Sequence, residues 1–236
     1  AIIALKSGDA QRAIEHISIV LDDTDPEQWE RVAKALAGAP DKRTSVVVFD
    51  HIMAENQVPS VPGLYQQYSD LAVQFGRLGV AENFASAIID LNPTQAEAYS
   101  WRGRLRHSMN RTQLAREDFA KAVELAPEDQ ALRQTYAALL AELDEYGQAI
   151  AELDRLDPSM TVLYSQSLYA FADDNHDLAL EKYRKLTALA VDDPSTRDFL
   201  LGLLAETMEL GADEALAHYR GVTDGQHLND AKLRSA

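Results

Sequence analysis

The chain contains no cysteine. That excludes disulfides, thiolate metal sites and a cysteine nucleophile, and it suits the cytosol and the periplasm equally. No apolar run approaches the ~20 residues of a membrane span, so no transmembrane segment is expected in this chain. Positive charge is scarce. Lys plus Arg number 22 against 38 Asp plus Glu, a formal net charge of −16. Phosphate backbones would be repelled, so nucleic acid is not expected as a partner. The acidity reads as solubility, as a salt-tolerant source, or as a match to a basic partner.

Signals of chemistry are missing too. There is no GxSxG, P-loop or GxGxxG string. The histidines are His16, His51, His107, His176, His218 and His227. They are scattered, with no HExxH spacing and no clustered ligands. The pairs Asp22–Asp23, Asp173–Asp174 and Asp192–Asp193 fall at helix ends or turns, where they cap helices or face solvent. No twelve-residue stretch has the alternating oxygen ligands of an EF-hand. No catalytic residue, metal site or cofactor is therefore expected.

What the chain does have is repetition. The clearest unit is AEAYSWRGRLRHSMNRTQLAREDFAKAVELAPED, Ala96 to Asp129. Ala115, Phe119 and Ala122 fall at i, i+4 and i+7, one face of a helix. Tyr99 and Gly103 share a face of the helix before it. Gly103 and Ala115 are small, which lets the two helices pack closely. Thr94 with Glu97 predicts a capping box at the start of the first, and Pro127 marks the end of the second. One such hairpin cannot bury its apolar face alone and needs neighbours.

Those neighbours recur along the chain. Small residues stand at Ala13, Ser45, Ala81, Ala115, Ala149, Ala179 and Ala215, at intervals of 30–36 residues. Four residues after each comes Ile17, Phe49, Ala85, Phe119, Leu153, Tyr183 or Tyr219. Seven after each comes Val20, Ile52, Ile88, Ala122, Leu156, Leu186 or Val222. Asp9 is placed to cap the second helix of the first unit, and Ser195 with Asp198 to cap a later one. SVVVF within Ser45–Ile52 has strand propensity, but the register assigns it to a helix. Asp157–Pro158 shortens one second helix and makes the single irregular joint.

This unit resembles the tetratricopeptide repeat, a helix–turn–helix of about 34 residues. Gly103, Ala115, Phe119, Ala122 and Pro127 match its small, apolar and proline positions. Tyr65, Ser69, Ala81, Ile88 and Pro93 match them in the preceding unit. The resemblance implies an all-α, right-handed superhelical solenoid that binds protein or peptide segments along its concave face. It implies no enzyme activity. The register gives a partial repeat over 1–25 and repeats over 26–61, 62–95, 96–129, 130–159, 160–195 and 196–226. A partial repeat over 227–236 closes the chain. Inner turns are expected near 38–40, 77–80, 110–112, 144–147, 173–176 and 210–212, with Pro59 to Pro62 as a spacer. Starting and stopping mid-repeat, the chain reads as a piece of a longer protein.

Carried residue by residue, the family's concave positions place Gln66, Asp70 and Gln74 on the binding face, then Ser100, Arg104 and His107, then Gln134. Tyr164, Leu168 and Phe171 follow, with Leu200 and Leu203. The face is expected to be polar with a basic anchor in its middle, and apolar toward the C-terminal end. The one dense basic patch is Trp101, Arg102, Arg104, Arg106, His107 and Arg111. Arg102 and Arg106 stand where the family has large apolar residues. Either these heads pair with acidic neighbours, or the patch anchors a partner's carboxylate through Arg104 and His107. The apolar residues in turn either contact a partner or pack against adjacent helices.

The string LLGLLAETMELGADEALAHYR, followed by LNDAKLR, is similar to the closing repeats of proteobacterial envelope tetratricopeptide lipoproteins. That group includes adaptors for carboxy-terminal processing proteases. The similarity implies a periplasmic, outer-membrane-associated scaffold with a protease partner. The alternative is a structural subunit of a polysaccharide-export or pilus-type assembly machine.

Overall fold

The structure, a computed structural model, describes residues 2–21, 26–54 and 62–235. Among them are fifteen helices and no strand. In order they are α1 (Ile2–Ser7), α2 (Ala10–Leu21), α3 (Pro26–Ala37), α4 (Lys42–Ala54) and α5 (Pro62–Gln74). Next come α6 (Leu78–Leu91), α7 (Ala96–Ser108), α8 (Thr112–Leu125), α9 (Gln130–Glu142) and α10 (Tyr146–Leu153). The last are α11 (Met160–Ala172), α12 (His176–Ala188), α13 (Pro194–Thr207), α14 (Ala212–Gly221) and α15 (Leu228–Arg234). They pack in sequential pairs, as in a tetratricopeptide solenoid. The chain divides into two compact units, Ala1–Ala126 and Pro127–Ala236, each described by itself below. The aspartates 22 and 23 and the spacer from Pro59 fall outside the described residues, as does the side chain of Val20.

The repeating register is the packing register. Ala13, Ser45, Ala81, Ala115, Ala149, Ala179 and Ala215 are all buried, and so are the seven residues that follow them at i+4. Leu156 departs from the pattern. Helix α10 ends at Leu153, so Leu156 lies half-buried in the turn before Asp157–Pro158. The segment with strand propensity is helix α4, and its burial shows why. Ser45, Val48, Phe49 and Ile52 are buried at helical spacing, while Val47 faces solvent. A strand would have placed Asp50 on the face of Val48. In the helix it turns out to meet Arg77 at 2.9 Å and the Tyr68 hydroxyl.

Small residues on the first helices let the paired helices touch. Ser69 Oγ donates to the carbonyl of Ala81 at 3.1 Å, and Ser167 Oγ donates to that of Ala179 at 2.8 Å. Each hydroxyl is buried between its two helices and finds there the acceptor that burial demands. Gly103 and Gly202 fill the equivalent position where an aromatic ring lies opposite. A Cβ on Gly103 would sit 3.1 Å from the Phe119 ring, and one on Gly202 would sit 2.4 Å from the Tyr219 ring.

Every three-residue inner turn closes the same way. Its middle residue has positive φ, and the next N–H reaches the carbonyl five residues back, as in the Schellman motif. Gly76, Asn110, Asp144 and Asp174 take that conformation, and Glu209 takes it in the longer turn after α13. The bonds run from Arg77 N to Ala72 O, Arg111 N to Arg106 O, Glu145 N to Leu140 O and Asn175 N to Ala170 O, at 2.8–2.9 Å. This motif sets the turn before α6 at Phe75–Arg77, two residues earlier than the register predicts.

Two capping expectations change and one holds. Thr94 does not cap α7: the N-cap is Gln95, without a side-chain bond, and the Thr94 hydroxyl bonds Asn92 Oδ1 at 2.9 Å. Helix α13 begins earlier than expected, at Pro194. Asp193, not Ser195 or Asp198, therefore accepts the cap bond, from Thr196 N at 2.9 Å. Asp9 does cap α2, accepting from Arg12 N at 3.0 Å.

Candidate protein-binding surfaces

In the first unit the six predicted residues lie on α5 and α7. Gln66 and Asp70 are one helical turn apart on α5, and Gln66 Nε2 donates to Asp70 Oδ1 at 3.0 Å. Burial pushes the Asp70 carboxyl up, partly offset by that bond. Gln74 is exposed at the end of the same helix. On α7, Ser100 is buried and accepts from Arg104 Nη1 at 3.0 Å. The Arg104 guanidinium also lies 5.6 Å from the centre of the Trp101 ring, within cation–π range. Trp101 is held in turn: its Nε1 donates to Ser69 Oγ at 2.9 Å. The Ser69–Trp101 link joins successive repeats. Arg104 itself is exposed, and among the described residues no carboxylate lies within ion-pair distance of it. His107 is exposed one turn further on.

The rest of the basic patch is spent internally. Asp118, 3% exposed, receives Arg102 Nη2 at 2.7 Å and Arg106 Nη1 at 3.0 Å. Glu82 receives Arg106 Nε at 2.9 Å and Arg111 Nη1 at 2.5 Å. Arg102 Nη1 also donates to Ser86 Oγ at 3.2 Å. Arg102 and Arg106 stand at large apolar positions of the repeat pattern and, with Arg111, form an ionic seam between α6, α7 and α8. Arg104 is the arginine of the patch that meets no carboxylate among the described residues.

In the second unit Gln134 is half-buried on α9. Tyr164, Leu168 and Phe171 share one face of α11, and Leu200 and Leu203 share one face of α13. All five are half-buried, packed at the margin of a core that holds Leu163, Ala170, Leu201 and Leu204. Each helix therefore has a packing face and a second, partly open apolar face. Burial raises the Tyr164 phenol, and among the described residues its hydroxyl has no hydrogen-bond partner. The Phe171 ring lies 5.1 Å from that of His176. Burial also raises Tyr169, whose ring is 6.5 Å from that of Tyr146. Tyr146 and Tyr169 are not among the predicted residues. Their signal was visible all the same: two aromatics, each beside an acidic turn.

Among the described residues no group of His, Asp or Glu could hold a metal ion, and no helix is long and apolar enough to cross a membrane.

Residues 96–129 match the family model of the tetratricopeptide repeat. Residues 96–129 are thus a tetratricopeptide repeat, and the fold of the chain is that of tetratricopeptide repeat proteins. The C-terminal part of a tetratricopeptide repeat-containing protein from Cytophaga hutchinsonii is 12% identical, covers 82% of this chain and 77% of its own, and superimposes with a TM-score of 0.62. YrrB, described as a tetratricopeptide repeat protein with an unusual peptide-binding site, is 17% identical over 75% of this chain and 89% of its own, with a TM-score of 0.58. The protein MamA is 16% identical over 70% of this chain and 97% of its own, with a TM-score of 0.55. No protein of curated function matches the chain in sequence.

Proposed function

We propose that this chain is a non-catalytic scaffold that holds a segment of a partner protein on the outward faces of its first helices. The observation that carries the reading is the row Tyr164, Leu168, Phe171, Leu200 and Leu203. These are large apolar side chains that the core covers only in part. Partly open apolar surface that includes aromatic side chains favours a protein contact. The fold is shared with YrrB, a protein with a peptide-binding site, which supports the same reading. The exposed Arg104, held in place by Ser100 and Trp101, offers a separate polar contact in the first unit. Gln66, Asp70, Gln74 and His107 flank it in the family's register.

The adaptor role for a carboxy-terminal processing protease, implied by the likeness of residues 200–234, gains no support from the relatives described above. Nor do they support a periplasmic lipoprotein. The proposal stops at protein binding.

The double variant Tyr164→Ala/Phe171→Ala tests it. Captured partner should fall by about tenfold, equal to about 1.4 kcal/mol, while the melting temperature stays within a few degrees. If the variant melts far lower and its folded fraction binds as before, these side chains belong to the core and the surface is misassigned.

A further inference from the structure

The two units differ sharply in charge. Residues 1–126 hold 13 Lys and Arg against 17 Asp and Glu, while residues 127–236 hold 9 against 21. The second unit thus carries −12 of the −16. The excess is prominent at its inner turns. The positive-φ residue is Gly8, Gly76 or Asn110 in the first unit, but Asp144, Asp174 or Glu209 in the second, where Gly211 shares the turn of Glu209. The stretches 142–147, 172–178 and 206–214 contain no Lys or Arg.

These acidic turns border the apolar row. Phe171 is the penultimate residue of α11, two residues before Asp173. Glu206, which is paired with Arg234, follows Leu203 by one helical turn on α13, and Glu209 stands in the turn beyond it. Neighbouring turns also adjoin: Asp173 Oδ2 lies 4.0 Å from where a Cβ on Gly147 would be, beside the turn that holds Asp144. The Tyr146 hydroxyl donates to Asp144 Oδ1 at 2.8 Å, and the charges of Asp144 and Asp173 both help hold its phenol above the usual range. Among the described residues the Asp173 carboxylate has no ion-pair or hydrogen-bond partner.

We propose that the α11–α13 face takes a basic amphipathic segment of the partner, its apolar side chains on the row and its Lys or Arg side chains over the turns at Asp144, Asp173–Asp174 and Glu209. The inference rests on the protein-binding reading and adds the partner's chemistry. An acidic segment with the same apolar residues would bring like charge against these turns, which costs affinity and slows encounter. A basic one gains on both counts.

Two labelled probes of about 15 residues test this, one of leucine and lysine and one of leucine and glutamate, both patterned at helical spacing. The leucine/lysine peptide should bind the chain at least about tenfold more tightly. Its affinity should fall by about tenfold in Asp144→Asn/Asp174→Asn/Glu209→Gln and also fall in Phe171→Ala, with melting used to confirm that each variant is folded. Raising the salt from about 50 mM to about 500 mM should weaken it as well. Three results overturn the inference: equal or tighter binding of the leucine/glutamate peptide, indifference to the triple variant, or indifference to Phe171→Ala. The last would mean unspecific attraction to an acidic chain. Leucine/glutamate binding that is lost with Phe171→Ala would remove the charge preference and leave the protein-binding reading standing. Binding of neither probe would also overturn the inference, while the scaffold reading would still be judged by capture of the native partner.

Discussion

Asp118→Ala should destabilise the folded chain by about 3–5 kcal/mol, the range for removing one partner of a buried ion pair. Asp118 sits in the packing stripe of α8, next to Phe119, and is 3% exposed. It accepts three hydrogen bonds from Arg102, the shortest 2.7 Å, and one from Arg106 at 3.0 Å. Alanine would leave the Arg102 head, whose side chain is 17% exposed, with no carboxylate. Arg106 would keep only Glu82. The dominant cost is the stranded charge, not the lost attraction. A second variant separates the two. Replacing Arg102, Arg106 and Asp118 together with Leu or Met restores the apolar pattern of the repeat family and should be neutral or stabilising. Urea unfolding of both variants measures this. A loss below about 1 kcal/mol for Asp118→Ala, typical of an exposed pair, would contradict the account.

Trp29→Ala should cost about 3–5 kcal/mol by a different route, a cavity in the first unit. Trp29 is wholly buried in a cluster with Ala33, Leu36, Phe49, Ile52 and Leu64. Helix α3 packs on both α4 and α5, so the indole fills space between successive hairpins. A close-packed interior relaxes only partly into such a volume. The chain has only two tryptophans, so Trp101 fluorescence would report unfolding of the variant without interference. A loss of under about 1 kcal/mol would mean the site collapses freely, which is at odds with a packed repeat interface.

The fold was legible because its signal repeats. A small residue with apolar residues at i+4 and i+7 recurs along the chain, and those positions form the buried seams. Repetition also overrode the local strand propensity of SVVVF. Helix ends were less legible. The Thr94–Glu97 spacing fits a capping box, but Asn92 takes the Thr94 hydroxyl and α7 starts at Ala96. A spacing cannot show such competition. The fate of the basic patch was half legible. The departure of Arg102 and Arg106 from the family's apolar pattern was plain. Which acids they meet depends on how α6 and α8 flank α7, and Glu82 is 24 residues from Arg106. Asp118 beside Phe119 was the available clue, an acid inside an apolar stripe. For the candidate surface, helical spacing placed Tyr164, Leu168 and Phe171 on one face. Their degree of cover depends on packing against α13 and could not be read from α11 alone. The acidic turns were visible as composition. Their adjacency, as between Asp173 and the start of α10, needed the fold.

Site-specific photo-crosslinking tests most directly the claim that the outward faces of the first helices hold a partner segment. A photoreactive phenylalanine would be placed at Leu168 on α11, at Leu203 on α13 and, as a control, at the exposed Arg184 on the second helix α12. Irradiated in its native host, the chain should form an adduct with one partner from positions 168 and 203 and none from 184. Adducts from 184 with none from 168 and 203 would contradict the account.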